Sequence, residues 1–390
     1  MSDSWDVVVV GAGIVGAACA RECASRGLRT AVVEGSVVGG GATAAGMGHI
    51  VVMDDSPAQL ALTRYSQSLW ADLAERLPAN VEFETCGTLW VAVDEEEMEE
   101  VRRKRAVYAS AGVASEILDS HALAEAEPYL RRSMAGALLV RSDAVIYPPC
   151  AAAWLMEEAM RGGAVLFGPR RVVGVGAGRV QLDDGSELHG GRIVVACGAE
   201  SAELLPEIPV RRRKGHLVIT DRYPGLVRHQ LVELGYLKSA HSLTADSVAF
   251  NVQPRKTGQV LIGSSRQFGD EGTAVRTEIV SAMLERAQFY LPEIGACSAI
   301  RTWTGFRAAT PDKLPLIGRW PGDETVLLAT GHEGLGITTS LATARLIADA
   351  LTGATSEIST QPYLPARFFG ERRVAGFEVD PPQQRSEVHA

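Results

Sequence analysis

Three glycines and one acid carry the first chemistry legible in the 390-residue chain. Gly11, Gly13 and Gly16 follow the apolar run Asp6 to Val10 as G-x-G-x-x-G, at the start of a helical segment, and Glu34 closes the next apolar run. Gly11 suits a tight turn, Gly13 lets a pyrophosphate approach backbone N–H groups at the positive end of a helix, and Gly16 lets helix and strand pack. Ile14 and Val15 open that helix, and Glu34 can accept from a ribose hydroxyl. The pattern points to a dinucleotide without choosing between NAD and FAD, because both carry an ADP half. Far downstream, "GFRAATPDKLPLIG" (305–318) holds one arginine, Arg307, between an aromatic residue and small ones. A guanidinium can fork onto two carboxylate oxygens; the alternative is a buried arginine paired to an acid or to backbone.

Two further glycine-rich stretches favour a flavin. "GSVVGGGATAAGMGH" (35–49) lets backbone approach a bound group closely. In "GHEGLGITTS" (331–340) a strand opens through Gly331, Gly334 and Gly336 into a helix whose N-terminal amides suit the negative charge of a reduced flavin. An ordinary glycine-rich turn between strand and helix is the competing account.

The elements that would position these residues alternate in texture. Asp6–Val10, Ile14–Arg26 and Thr30–Glu34 read as a β-α-β unit, with Gly27 ending the helix. Ser56 and Pro57 start a second helix, whose stripe Leu62, Leu69, Trp70, Leu73 and Leu77 ends at Pro78. From Cys86 onward "GTLWVAV", "GALLV", "HLVIT", "VAFNVQP" and "QVLIG" read as strands of an antiparallel sheet, and "DEEEMEEVRRKR" as a solvated helix. "GRIVVACGA" and the segment 325–353 return to parallel α/β texture. A discontinuous nucleotide-binding domain with a β-rich insert follows.

Composition narrows the partners. A net charge of −9 argues against a nucleic-acid or anionic-lipid footprint. The basic cluster Arg211 to Lys214 lacks interleaved aromatics and reads as a solvated strand edge. Six scattered cysteines form no C-x-x-C pair, and Cys19 and Cys23 read as buried on one helix, so neither zinc nor a disulfide framework is expected. With no signal peptide and no apolar run of about 20 residues, a cytoplasmic protein without a membrane span is expected.

Together, "VVVVGAGIVGAACA" with Glu34, "GGGATAAGMGH", "GRIVVACGAES", "TWTGFRAATPDKLPLIG" and "GHEGLGITTS" resemble the D-amino-acid oxidase family of FAD-dependent oxidoreductases, to about Pro365. The resemblance implies an α/β fold with an α+β insert. Segments 1–84, 146–219 and 303–368 would form a Rossmann-like FAD-binding domain, 85–145 and 220–302 a mostly antiparallel substrate domain, and 369–390 a tail. It implies that Arg307 holds a substrate carboxylate over the flavin. It also implies cofactor contacts from Gly41, Ala42, Thr43, Ala44, Gly46 and Met47, from Val173 and Gly198, and from Gly331, Gly334, Leu335, Gly336, Ile337 and Thr338. Asn251 stands where amino-acid oxidases carry a substrate-binding tyrosine, and Ala308 where a proline commonly follows the arginine; both departures favour the dehydrogenase-like or imino-acid branch.

The implied reaction is hydride transfer from Cα of a small amino or imino acid to flavin N5, with His49, His332 and Glu333 as the polar groups that could orient the amine or take its proton. Each could equally hold a flavin loop. Arg266 is a candidate for the positive charge that promotes flavin reoxidation by oxygen. Three alternatives stay open: oxidase against dehydrogenase, a flavin-holding subunit of a hetero-oligomer, and an NAD-dependent dehydrogenase. A homo-oligomer is equally compatible.

Overall fold

The computed structural model describes residues 4–234 and 247–369, so the expected tail, apart from Phe369, lies outside the described residues. The first sheet contains β1 (Trp5–Val10), β2 (Thr30–Val33), β8 (Val165–Phe167), β9 (Val172–Gly176), β10 (Arg179–Leu182), β11 (Glu187–Val195), β17 (Leu316–Trp320) and β18 (Asp323–Thr330). Its spine runs β17-β18-β11-β1-β2-β8, parallel except for the β17–β18 pair, with β9 and β10 as an antiparallel extension of β11. Val7, Val8 and Val9 are wholly buried, which explains the unbroken apolar run: a parallel strand is covered on both faces.

The second sheet contains β4 (Thr88–Ala92), β5 (Glu116–Asp119), β6 (Gly136–Val140), β12 (Arg211–Arg222), β13 (Gln230–Glu233), β14 (Ser247–Pro254), β15 (Gln259–Arg266) and β16 (Ala299–Ala309). The order β16-β12-β15-β14-β13-β4-β6-β5 is antiparallel except between β13 and β4. Strands of the expected segments 146–219 and 303–368 therefore join this sheet, since β12 starts at Arg211 and β16 runs to Ala309. A two-stranded ribbon pairs β3 (His49–Ile50) with β7 (Ala144–Val145).

Helix Ile14–Ser25 buries Ala17, Cys19, Ala20 and Cys23 in one core with Leu155 and Ile347 of helices Pro148–Arg161 and Gly336–Thr352. Full burial of Leu155 or Ile347 there is worth about 1.5–3 kcal/mol before conformational entropy is subtracted. Helix Pro57–Leu73 starts as its residue types dictate: the Ser56 hydroxyl accepts from the Gln59 N–H at 3.1 Å and proline takes the first position. It ends at Leu73 in a 3-10 turn, Ala74–Arg76, short of Leu77. Among the described residues no helix is long and apolar enough to cross a membrane.

Candidate active site

A cavity of about 800 Å³ runs from the carboxyl ends of β1 and β2 to the face of the second sheet. At its first end Gly11, Gly13, Ile14 and Val15 bring in the N-terminus of the first helix, where amides lack intrahelical acceptors. A Cβ on Gly16 would sit 1.9 Å from the Gly11 carbonyl oxygen, so the strand-to-helix turn closes only with glycine there. Both Glu34 oxygens are fixed, Oε2 by the Ala12 N–H at 2.7 Å and Oε1 by the Ser36 N–H at 2.8 Å. The anchored carboxylate lines the cavity and keeps lone pairs for a ribose. Thr43 accepts from the Ile14 N–H at 3.0 Å, tying the second glycine-rich stretch to the helix end.

Gly41, Ala42, Gly46 and Met47 line the middle of the cavity, Val173 and Gly198 the end beyond Glu34, and Gly334, Gly336 and Ile337 the opposite wall. These groups suit a flavin dinucleotide: two helix N-termini, an anchored acid and an apolar floor. Five expected cofactor positions are not on that wall. Gly16 is spent on packing, and Ala44 is exposed. Gly331 abuts Thr310, and Leu335 lines a smaller neighbouring compartment. Thr338 is a latch, its hydroxyl donating to the His49 carbonyl at 2.8 Å.

Arg307 enters from β16 directly opposite Arg213 of β12. Its guanidinium lies over Gly215, and Nη1 donates to the Ser265 carbonyl at 2.9 Å. Burial, opposed by Glu333, draws its pKa below the ordinary arginine value. The group lines the cavity, so it offers a charged fork in a poorly solvated wall.

His49 is held in a directed chain. Its Nδ1 makes a short hydrogen bond to Gln230 Oε1, while Gln230 Nε2 donates to Thr88 Oγ1 at 3.2 Å and to the Ala144 carbonyl at 3.1 Å. Gln253 Nε2 also lies 3.3 Å from Nδ1; with the proton assigned to Nδ1 on the short Gln230 contact, Nε2 accepts from Asn251 Nδ2 at 3.3 Å. That orients the Asn251 amide, whose buried Oδ1 has no partner among the described residues and belongs to a residue lining the cavity. Burial, partly opposed by the Gln230 hydrogen bond and reinforced by Arg307, lowers the His49 pKa. His332 is pushed down to about 3 by burial alone and meets Thr343 Oγ1 at 2.9 Å. Glu333 sits at a positive φ of 52°, its N–H donating to the Ala308 carbonyl at 2.9 Å and its carboxylate 3.0 Å from Arg213.

Gly215, Gln230, Ser264 and Ser265 belong to the site although no motif marks them. The basic cluster needs correction. β12 is paired on both sides, with Arg213 and Lys214 buried; Lys214 donates to Asp270 at 2.9 Å and to the Ala274 carbonyl at 2.7 Å. Only Arg211, of the four, is exposed as a solvated edge would be.

Comparison with known proteins agrees with this geometry. The family model "DAO: FAD dependent oxidoreductase" matches residues 6–350. Glycine oxidase of Pseudomonas aeruginosa is 29% identical, over 92% of this chain and 98% of that protein. Hydrogen cyanide synthase subunit HcnC of the same organism is also 29% identical, over 94% and 97%. The crystal structure of glycine oxidase from Geobacillus kaustophilus superposes with a TM-score of 0.84 at 26% identity, covering 93% of this chain and 99% of that one. The NAD alternative is thereby set aside, and the chain belongs to the DAO family of FAD-dependent oxidoreductases.

Proposed function

We propose that the protein oxidises the C–N bond of a small amino or imino acid, of the D-hydroxyproline, D-amino-acid or glycine/sarcosine type. The observation that carries this reading is the half-buried Arg307 guanidinium in the wall of the dinucleotide cavity. When bound, FAD accepts the hydride that leaves Cα. Arg307 pairs with the substrate carboxylate and fixes the direction of the Cα–H bond. Asn251 Oδ1 accepts from the amine, and His49 holds that amide in place. Met47 and Leu217 line the cavity and keep water from the reacting bond. The imine product is released to hydrolysis.

Glycine oxidase relatives support this substrate class. The likeness to a hydrogen cyanide synthase subunit supports a second reading, a flavin-holding subunit of a hetero-oligomer without independent turnover. The first reading sets the enzyme in the cytoplasm, where its free cysteines stay reduced. Purified protein should be yellow, and anaerobic addition of hydroxy-D-proline, D-alanine, glycine or sarcosine should bleach it. A yellow protein that none of these reduces would favour the subunit reading.

A further inference from the structure

A second compartment of about 90 Å³ adjoins the FAD cavity and shares His49, Asn251, Glu333 and Gly334 with it. One wall of it is a row across three strands. Trp90 of β4 stands directly opposite Val232 of β13, and Val232 opposite Asn251 of β14, so the three side chains share one face of the sheet. Two strand spacings, about 10 Å at the backbone, separate the ends of the row. Both ends are polar and lack partners: Asn251 Oδ1 is a buried acceptor, Trp90 Nε1 a buried donor, and neither is hydrogen-bonded among the described residues. Gln59 lines the same compartment, and its buried Oε1 is likewise unpartnered there. Val51, Met53, Val232 and Leu335 give a ligand carbon to pack against, and the charges of Arg213 and Glu333 answer one another at 3.0 Å. An unpaired donor and an unpaired acceptor in one small space call for a neutral group that both accepts and donates. Water can fill that need, but the apolar lining and the junction with the FAD cavity at Asn251 suit a carbon chain that ends in such a group.

We infer that the small compartment receives the substrate's side chain, and that this side chain ends in a hydroxyl or a carboxamide held by Trp90 Nε1 and Gln59 Oε1. This rests on the amine-oxidising reading above and narrows its substrate class. With the carboxylate on Arg307 and the amine at Asn251, the chain lies along Val232 and its terminus meets the indole. An apolar side chain of the same shape leaves both buried groups unpaired, which such a site penalises.

The test uses unreactive acids in pairs of matched shape, succinamate with 4-methylpentanoate and 5-hydroxypentanoate with hexanoate, titrated into FAD-loaded protein while the flavin spectrum is followed. The polar member of at least one pair should bind about fivefold or more tightly, the scale of one neutral hydrogen bond. Its partner is the more hydrophobic acid, so the preference reports the hydrogen bonds and not general burial. Trp90→Phe keeps an aromatic ring beneath Lys104 but has no N–H, and should bring the pair to nearly equal affinity. Gln59→Leu, which serves if the first variant does not fold, should reduce the preference. No preference in either pair, a preference that survives both substitutions, or clearly tighter binding of succinate than of succinamate would overturn the pocket. No preference together with bleaching by an amine would do so while leaving amine oxidation standing. A preference that Trp90→Phe removes, in protein that no amine bleaches, would support the pocket and remove the reading it narrows.

Discussion

The guanidinium of Arg307 lies so close over the backbone of Gly215 that a Cβ built on Gly215 would come within 2.4 Å of Nη1. The arginine reaches its cavity-facing position because the neighbouring strand lacks a side chain there. Arg307→Ala should lower kcat/KM for a carboxylated amine by roughly 10- to 150-fold, the equivalent of about 1.5–3 kcal/mol, with FAD retained. Gly215→Ala should act in the same direction by displacing the fork. Unchanged kinetics in both variants would remove Arg307 from substrate binding.

Gln230 sets the tautomer of His49, and through it the orientation of Asn251. Gln230→Leu should lower kcat/KM by about tenfold, the scale of one lost hydrogen bond to a reacting group. Protonated His49 has no lone pair for Asn251, so activity should persist through neutrality and fall below the ordinary histidine range. Gln230 raises the His49 pKa against the effect of burial, so its removal should move the acidic limb to lower pH. A pH profile of kcat/KM whose acidic limb stays in place would contradict the chain.

His332 makes stability depend on acid. Its folded pKa of about 3 lies below the ordinary 6.5, so between these values the unfolded chain holds one more proton. Its contribution is fully present above pH 6.5 and is lost on acidification at about 1.4 kcal/mol per pH unit. His332→Gln should flatten the fall of Tm as pH drops from neutrality. Parallel curves for the two proteins would show that this ring does not govern it.

A Cβ on Gly13 would stand 3.2 Å from Thr43 Oγ1, the atom that accepts from the Ile14 N–H. The two extra methyl groups of Gly13→Val must push on Thr43 or enter the cavity. Affinity for FAD should drop roughly 5- to 150-fold, the equivalent of about 1–3 kcal/mol of overpacking, and flavin absorbance per polypeptide should fall with it on dilution. A fully yellow variant would refute the close approach.

The dinucleotide turn was legible because its constraints are local: strand, glycines, helix and acid fall within residues 5–34. The β-rich insert was legible from short runs bounded by turn residues. The supports of Arg307 and His49 were not, because Ser265 lies 42 residues from Arg307 and Gln230 lies 181 from His49. The basic cluster misled for the same reason: its acidic partners, Glu333 and Asp270, are distant in sequence, and composition alone reads four consecutive cations as solvated. The resemblance implies a flavin contact from Thr338, and the hydrogen bond from its hydroxyl to the His49 carbonyl, 289 residues away, is not legible from the motif.

The pigment's berth is assembled from two distant stretches of the polypeptide: residues 10–15 open it and residues 305–337 close it. A nascent chain emerging from the ribosome thus has nowhere to seat the coloured group until Ile337 has been made. Fragments cut before that point should be colourless, and riboflavin scarcity should expose the complete but empty chain to proteases.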